Sequence, residues 1–160
     1  MLRQGAIDVQ GVKLPLTMGT ECAGEVTAIG SNVSTISIGD RVSALTESRS
    51  WSELVNVPAK HVYKLPKKMD MKDAVVLTTN YTIAHALLFD VANLKPGQII
   101  LVHSVGGGVG QAVAQLARTV ADVTIIGTAS AHKHDTIKDS VNHLLDINSD
   151  YATEVKKYEN

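Results

Sequence analysis

Residues 98–115 read QIILVHSVGGGVGQAVAQ, and this stretch decides the fold of the second half of the chain. An apolar run at Ile99–Val102 ends at four glycines within five positions, and small residues with helical spacing follow. A strand, a glycine turn and a helix in this order are the local geometry of a dinucleotide phosphate site. The glycines could serve a tight turn, a close approach to phosphate or close helix–strand packing. The helix would begin near Gly108, with its first backbone amides directed at the phosphates.

The glycine pattern departs from the strict G-x-G-x-x-G fingerprint. With the motif aligned on Gly107 and Gly110, Val105 stands in the place of the first glycine, which leaves S-x-x-G-x-x-G. The alternative interpretation is a glycine-rich turn of an α/β protein that holds no ligand. We predict that the loop contacts a dinucleotide through Ser104, Gly107, Gly108, Val109 and Gly110.

The composition excludes several classes of protein. The chain has 160 residues, 44% of them hydrophobic, and a formal net charge of −1, so it can bury a core and gives no reason to expect nucleic acid as a partner. Its single cysteine, Cys22, excludes an internal disulfide and a cysteine-clustered zinc site. No apolar run reaches the ~20 residues of a membrane helix. Residues 1–10 lack the apolar core of a signal peptide. We therefore expect a cytoplasmic protein without a transmembrane segment.

The first half of the chain has the pattern of a small antiparallel β unit. Turn residues end each of four short strand-like segments, at 21–29, 41–45, 51–57 and 61–65. The hydrophobic period then changes, which places a boundary between this unit and the next within residues 66–73.

The second half alternates helices and strands. Residues 71–88 predict two helical segments broken near 78–80, with Asp70 as the N-cap of the first. The elements predicted after the glycine loop are a helix to about Val120, a strand at 123–127, a helix at 136–141, a strand at 143–147 and a helix at 151–158. Together with the strand before the loop, this is βαβαβα, which requires a parallel sheet with right-handed crossovers.

The end of the second strand bears on the choice of nicotinamide cofactor. An NAD site usually has Asp or Glu there, about 20 residues beyond the loop, to hold the ribose hydroxyls. Here Asp122 precedes the strand and Asp135 lies in the next helix, while Ser130 and Lys133 stand near the expected place. A hydroxyl and a cation suit a 2′-phosphate, which favours NADP(H). The alternative is that Ser130 only caps the helix while Lys133 is solvated.

No metal site and no catalytic residue are predicted. His132 and His134 are alternate residues of a helix, which do not share a face, and no carboxylate or cysteine set completes a site. A hydride transfer needs no protein nucleophile, because the cofactor carries the reaction.

Longer motifs carry a family resemblance along nearly the whole chain. They include GTECAGEVTAIG at 19–30, WSELVNVPAKHVYKLP at 51–66, NYTIAHALLFDVANLKPG at 80–97, ILVHSVGGGVGQAVAQLARTV at 100–120 and VTIIGTASAHKHDTIKDSV at 123–141. The chain resembles the medium-chain dehydrogenase/reductases, specifically their zinc-independent quinone oxidoreductase branch. The resemblance implies an α/β chain with a partial GroES-like β domain at 1–70, followed by the first half of a Rossmann domain at 71–160, with NADPH bound between them.

The resemblance also implies roles for particular positions. The loop glycines fall on the family's pyrophosphate loop, and Ser130 and Lys133 fall on its 2′-phosphate pocket. Asn80 falls in the segment that passes the nicotinamide. Residues 19–21 read Gly-Thr-Glu where zinc-dependent relatives have Gly-His-Glu, which implies that no zinc is bound. Two positions depart from the branch: Ile83 replaces a common threonine, and Ile147 stands near a missing tyrosine.

The activity that the resemblance implies is transfer of hydride from NADPH to a quinone or another activated C=C bond such as an enone. The alternative is a non-catalytic NADPH-binding protein that acts through protein or lipid partners, because part of the branch is vesicle-associated. Peripheral association with vesicles and a homodimer are further expectations. Chains of the family are longer, so we expect this chain to be part of a longer protein or a short form, and a fragment without independent activity is the third alternative.

Overall fold

The structure is a computed structural model, which describes residues 15–158. The chain divides into two compact units, Met1–Val75 and Val76–Asn160. The first contains an antiparallel sheet and the second contains a parallel sheet with helices.

The sheet of the first unit has three strands in the order β1-β2-β3: β1 at Glu21–Glu25, β2 at Arg41–Leu45 and β3 at Val62–Lys64. Both pairings are antiparallel, with Ser43 opposite Ala23 on one side and Tyr63 on the other. Burial raises the pKa of the Cys22 thiol in β1, which suits a packing role better than a nucleophilic one. The predicted antiparallel β unit is confirmed.

Two strand predictions in this unit need correction. The strand predicted at 21–29 ends at Glu25, and Val26 makes the last hydrogen bonds to the facing segment, donating to the Asp40 carbonyl and accepting from Gly39. The strand predicted at 51–57 is wrong. The Ser52 hydroxyl lies 2.6 Å from the Arg49 carbonyl oxygen, so a local turn replaces strand pairing in this part of the described chain. Only the first residue of the segment, Trp51, donates a backbone hydrogen bond that is given to another part of the described chain, to the Met18 carbonyl, so alternation alone did not identify a strand here.

The sheet of the second unit has three parallel strands in the order β4-β5-β6. They are β4 at Ile99–Val102, β5 at Thr124–Ala129 and β6 at His143–Asp146. Val102 pairs with Gly127, and Ala129 pairs with Asp146, so the carboxyl ends of the strands meet at one edge. The predicted parallel sheet is confirmed, with β5 longer at its carboxyl end than predicted.

The helix before this sheet, α1, runs from Met71 to Val91 without a break. The predicted break at 78–80 is wrong, because Leu77–Tyr81 continues the helix as a π segment and Ala86–Val91 forms a second one. The Asp70 carboxylate accepts a 2.7 Å hydrogen bond from the Lys72 amide, as expected of an N-cap. π segments insert one residue into a helical turn and are frequent at functional sites.

By length and composition alone, α1 could cross a membrane, since an 18-residue window within its 21 residues has a mean hydropathy of 1.3. The sequence pattern did not predict a helix of this kind. Within the described structure 17% of that window is buried, and Ala84 and Leu88 of α1 lie in the core of the second unit.

The helix after the glycine loop, α2, spans Gly108–Ala117 and packs closely on the sheet. Its Ala112, Ala114 and Ala117 are completely buried in one cluster with Ile125 of β5. Small side chains on this face let the helix approach the strands closely, which fixes its first turn beside the end of β4.

The remaining helical parts agree with the prediction only in part. The helix predicted to reach Val120 ends at Ala117, and the one predicted at 136–141 is divided. The segments after β5 are a 3-10 turn at Ala131–Lys133, α3 at His134–Ile137 and a 3-10 turn at Lys138–Ser140. The last helix, α4 at Tyr151–Val155, begins where predicted and continues as a 3-10 turn at Lys156–Tyr158.

Candidate nucleotide-binding site

The glycine loop leaves β4 through a single residue in the left-handed region, Ser104, with φ of 53°. The Ser104 carbonyl accepts a hydrogen bond of 2.9 Å from the Gly107 amide, which closes the turn. The Val105 amide donates to the Thr128 carbonyl at 3.0 Å, and the Val105 side chain is fully buried. The hydrogen bond and the buried side chain of Val105 therefore attach the loop to the end of β5.

The loop glycines are required for space and not for backbone conformation. None of them has a positive φ. A Cβ atom at Gly110 would lie 2.5 Å from the Ser104 carbonyl oxygen and 2.7 Å from the Val105 Cα. A Cβ atom at Gly108 would lie 2.8 Å from the Asn80 Oδ1. Of the three roles expected for the glycines, close packing is the one these contacts support, while Ser104 makes the tight turn.

The first turn of α2 presents backbone amides that no side chain caps. Gly107 is the N-cap residue, with extended φ and ψ of −95° and 169°, and it makes no side-chain cap hydrogen bond. The first amides of a helix have no carbonyl partner within the helix, and the helix dipole favours an anion there. The first turn contains no acidic residue, and Gly108 is exposed. This arrangement fits a phosphate group, as the sequence predicted.

The second predicted group of residues follows β5 directly. Ser130 is the N-cap residue of the 3-10 turn and accepts a 2.9 Å hydrogen bond from the Lys133 amide through its carbonyl. Its hydroxyl makes no cap hydrogen bond, so the alternative of a purely capping serine does not describe this side chain. Lys133 is exposed, and its side chain lies against Gly106 of the glycine loop. The fold thus brings Lys133 beside the loop, although the two are far apart in sequence.

Asn80 reaches the site from the π segment of α1. Its side-chain amide lies over Gly108, at the start of α2. The neighbouring Tyr81 donates a 2.5 Å hydrogen bond from its hydroxyl to the Gln115 Oε1, which connects α1 to α2. Asn80 also lines a cleft of about 710 Å³ together with residues 103–104 and 107–110. The predicted loop residues and Asn80 therefore border one cleft.

Two residues that the sequence analysis did not identify, Gln111 and Thr128, support the loop through hydrogen bonds to its backbone. The Gln111 side-chain amide donates to the Val105 carbonyl at 2.8 Å, and its Oε1 accepts from the Ser140 hydroxyl at 3.2 Å. The buried Thr128 hydroxyl lies 3.4 Å from the Ser104 amide and 3.2 Å from the His103 Nδ1. Only their positions in the sequence could have indicated this role, since Gln111 lies in the first turn of α2 and Thr128 lies near the end of β5.

A carboxylate lies near the second group. The Asn148 backbone amide lowers the pKa of Asp146 at the end of β6, and the Asn148 side chain, the charge of His134 and the Ala131 amide act in the same direction. The His134 Nε2 lies 3.0 Å from the Ala129 carbonyl oxygen, so His134 has a structural partner. Among residues 15–158, no group of three or more His, Cys, Asp or Glu side chains could hold a metal ion.

Similar proteins are known for both units of the chain. Residues 1–67 match the alcohol dehydrogenase GroES-like domain. The human protein named synaptic vesicle membrane protein VAT-1 homolog-like is 52% identical over 157 residues, which are 98% of this chain and 37% of that protein. A crystal structure of the human VAT-1 homolog-like protein matches with a TM-score of 0.92 and 51% identity, over 99% of this chain and 50% of that chain.

Quinone oxidoreductases also match over most of the chain. The quinone oxidoreductase of Pongo abelii is 35% identical over 152 residues, which are 91% of this chain and 45% of that protein. The Escherichia coli quinone oxidoreductase, solved in complex with NADPH, matches with a TM-score of 0.88 and 27% identity, over 98% of this chain and 48% of that chain.

The chain belongs to the medium-chain dehydrogenase/reductase superfamily. Its α/β fold combines part of a GroES-like β domain with the first parallel strands of a Rossmann domain. The chain spans 37% to 50% of the length of the VAT-1 homolog-like protein that it matches.

Proposed function

We propose that the second unit of this superfamily member binds NADPH. We further propose that the chain is a zinc-independent oxidoreductase of the quinone reductase type, or the cofactor-binding core of one. One observation carries the proposal: the uncapped first turn of α2 lies in the same unit as a lysine that is packed against the glycine loop. The first feature fits a pyrophosphate and the second fits a 2′-phosphate.

The residues present fit this cofactor in chemistry, and the predicted loop residues and Asn80 line one cleft, whose lining does not include Ser130 or Lys133. The amides of Gly108, Val109 and Gly110 would hold the pyrophosphate, because no side-chain hydrogen bond caps the start of α2. The Ser130 hydroxyl and the Lys133 ammonium would each donate a hydrogen bond to the 2′-phosphate. No acidic side chain follows β5 directly, where a ribose-binding carboxylate would repel that phosphate. Asn80 would contact the nicotinamide half of the cofactor from its position beside Gly108.

When bound, NADPH supplies the hydride, and an electron-poor C=C bond of a quinone or enone accepts it. The residues of this chain bind and orient the cofactor, and no metal takes part. The relatives named quinone oxidoreductases support this substrate class.

Fluorescence titration of the purified chain with NADPH and NADH tests the cofactor assignment. We expect tighter binding of NADPH, and we expect Lys133→Ala to remove most of that preference. Lys138→Ala is the matched control, since Lys138 is also exposed and follows α3 closely. Equal affinity for the two cofactors, unchanged in Lys133→Ala, would exclude the 2′-phosphate site.

A second candidate function is a non-catalytic NADPH-binding protein that acts at vesicle surfaces. The naming of the relatives as synaptic vesicle membrane proteins favours it. A quinone-dependent NADPH oxidation assay separates the two candidates, because binding without turnover supports the second and turnover supports the first.

A further inference from the structure

The S-x-x-G-x-x-G pattern leaves two loop glycines unused, Gly106 and Gly108, and of these Gly106 is the one that faces Lys133. The glycines with a positive φ in the described part of the chain are Gly19, Gly39 and Gly97. The conformation of Gly106 is therefore open to any residue, and its need for glycine must come from its neighbours. A Cβ atom at Gly106 would lie 3.0 Å from the Lys133 Cδ and 3.3 Å from the Ile137 Cδ1. Unlike Gly107 and Gly110, it faces the segment after β5 and not its own loop.

The two neighbours of Gly106 differ in their freedom to move. Ile137 is 6% exposed and belongs to the core of the second unit, so it resists displacement. Lys133 is exposed, so its stem would give way. The Lys133 backbone itself is fixed, because its amide donates to the Ser130 carbonyl at 2.9 Å and its carbonyl accepts from the Thr136 hydroxyl at 2.8 Å. A side chain at Gly106 would therefore move the lysine side chain and leave its backbone in place.

The loop cannot retreat from Lys133 either. The Gln111 side chain holds the Val105 carbonyl at 2.8 Å and is itself held by Ser140 at 3.2 Å. The Val105 amide is held by the Thr128 carbonyl at 3.0 Å. The residue before Gly106 is thus anchored on both sides, and the gap between the loop and Lys133 is fixed by the fold.

We propose that Gly106 is a specificity-determining residue, which seats the aliphatic stem of Lys133 against the pyrophosphate loop and so sets the preference for NADPH over NADH. This inference rests on the proposed NADPH site. The seat limits the rotamers of a long side chain before the cofactor arrives, which reduces the entropy lost on binding the 2′-phosphate. NADH lacks that phosphate, so its affinity does not depend on the seat.

The test measures the dissociation constants of NADPH and NADH for wild type and Gly106→Val. We expect Gly106→Val to weaken NADPH binding roughly tenfold, on the scale of one charge-assisted hydrogen bond. NADH affinity should change by less than about twofold, which also reports that the loop is folded. Gly108→Ala is the contrasting variant, because a methyl group against Asn80 at the helix start should weaken both cofactors to the same extent.

A double-mutant cycle with Lys133→Met isolates the contact. Methionine keeps an aliphatic stem and removes the ammonium, so Gly106→Val should have no further effect on the NADPH to NADH ratio in that background. Should Gly106→Val lose NADH affinity through misfolding, Gly106→Ala replaces it, with a smaller decrease of the same ratio expected.

The outcomes separate this inference from the proposed function. If the preference for NADPH over NADH, measured as the ratio of the two affinities, falls in Lys133→Met but not in the Gly106 variants, the inference is overturned and the NADPH site remains. A ratio that falls by the same factor in both backgrounds also overturns it, because Gly106 would then act without Lys133. A wild-type chain that binds neither cofactor overturns the proposed function and the inference together.

Discussion

Ser104 is the residue whose backbone bends the chain from β4 into the glycine loop. Its φ of 53° lies in the left-handed region, which costs a non-glycine residue roughly 1–2 kcal/mol. The buried Thr128 hydroxyl and the Gly107 amide hold its backbone in that conformation. Strain of this kind persists where the surrounding structure fixes the backbone, and it is frequent at binding sites.

The first prediction follows from that strain. Ser104→Gly should raise the free energy of unfolding by up to about 1 kcal/mol, since glycine adopts the same backbone without penalty but loses more entropy on folding. Urea denaturation measures the change. Ser34→Gly is the control, because Ser34 is exposed and has no positive φ, so that the same substitution should be neutral or slightly destabilising. A lower stability of Ser104→Gly than of the control would contradict the reading of Ser104 as strained.

The second prediction concerns Gly110, which lies close to the backbone of Ser104 and Val105. Gly110→Ala should destabilise the chain by about 1–3 kcal/mol and abolish NADPH binding, because the new methyl group would meet the backbone of Ser104 and Val105. Gly24→Ala is the matched control, since nothing lies within 4 Å of a Cβ atom there and its φ is not positive. Both free energies come from urea denaturation. If the two variants have equal stability, the spatial account of the loop glycines is wrong.

At the scale of elements, the sequence predicted those that a local pattern defines. The β4–loop–α2 unit was predictable because an apolar run, glycines and small residues follow one another within residues 98–115. The break predicted at 78–80 was wrong because the backbone continues there as a π segment, which the apolar spacing of residues 71–88 does not predict. The strand predicted at 51–57 was wrong because alternation does not supply a neighbouring strand.

The candidate site was predictable only in part, for a related reason. Gly107, Gly108 and Gly110 lie within one motif, so the pattern named them together. The contact between Gly106 and Lys133 and the support from Gln111 depend on how β5 and α2 pack. Such contacts join residues far apart in the chain, and no local period encodes them.

The third prediction belongs to the turn that joins β1 and β2 and to its contact with β3. The Lys64 side chain, and then the Ser37 amide, lower the pKa of Asp40, whose carboxylate lies 2.7 Å from each donor. A lowered folded-state pKa means that ionised Asp40 stabilises the fold above its unfolded pKa of about 4. That contribution is lost as the pH falls through the folded pKa.

The measurement compares urea midpoints at neutral and acidic pH. Asp40→Asn should reduce the loss of stability on acidification. Lys64→Met should reduce it less, because the Ser37 hydrogen bond to the carboxylate remains. An acid-induced loss in Asp40→Asn as large as in wild type would rule out Asp40 as a source of the pH dependence.

At the scale of the whole molecule, we expect NADPH to contact only one of the two units. All predicted cofactor contacts lie within residues 80–133, which belong to the unit Val76–Asn160. The amides expected to bind phosphate are at the start of α2, and the side chains expected to bind the 2′-phosphate follow β5. A ligand that binds only the folded state stabilises it by mass action.

The fourth prediction is that NADPH at 100 times its dissociation constant raises the free energy of unfolding by about 2.7 kcal/mol. Hydrogen exchange should slow most at residues 103–111 and 128–134, where the loop and Lys133 lie. Lys133→Met at the same NADPH concentration is the control, and its smaller gain should match its weaker affinity, because the stabilisation depends only on the ratio of concentration to dissociation constant. Protection that is absent from residues 103–111 would mean that the glycine loop does not hold the cofactor, whatever the affinity measured for the chain.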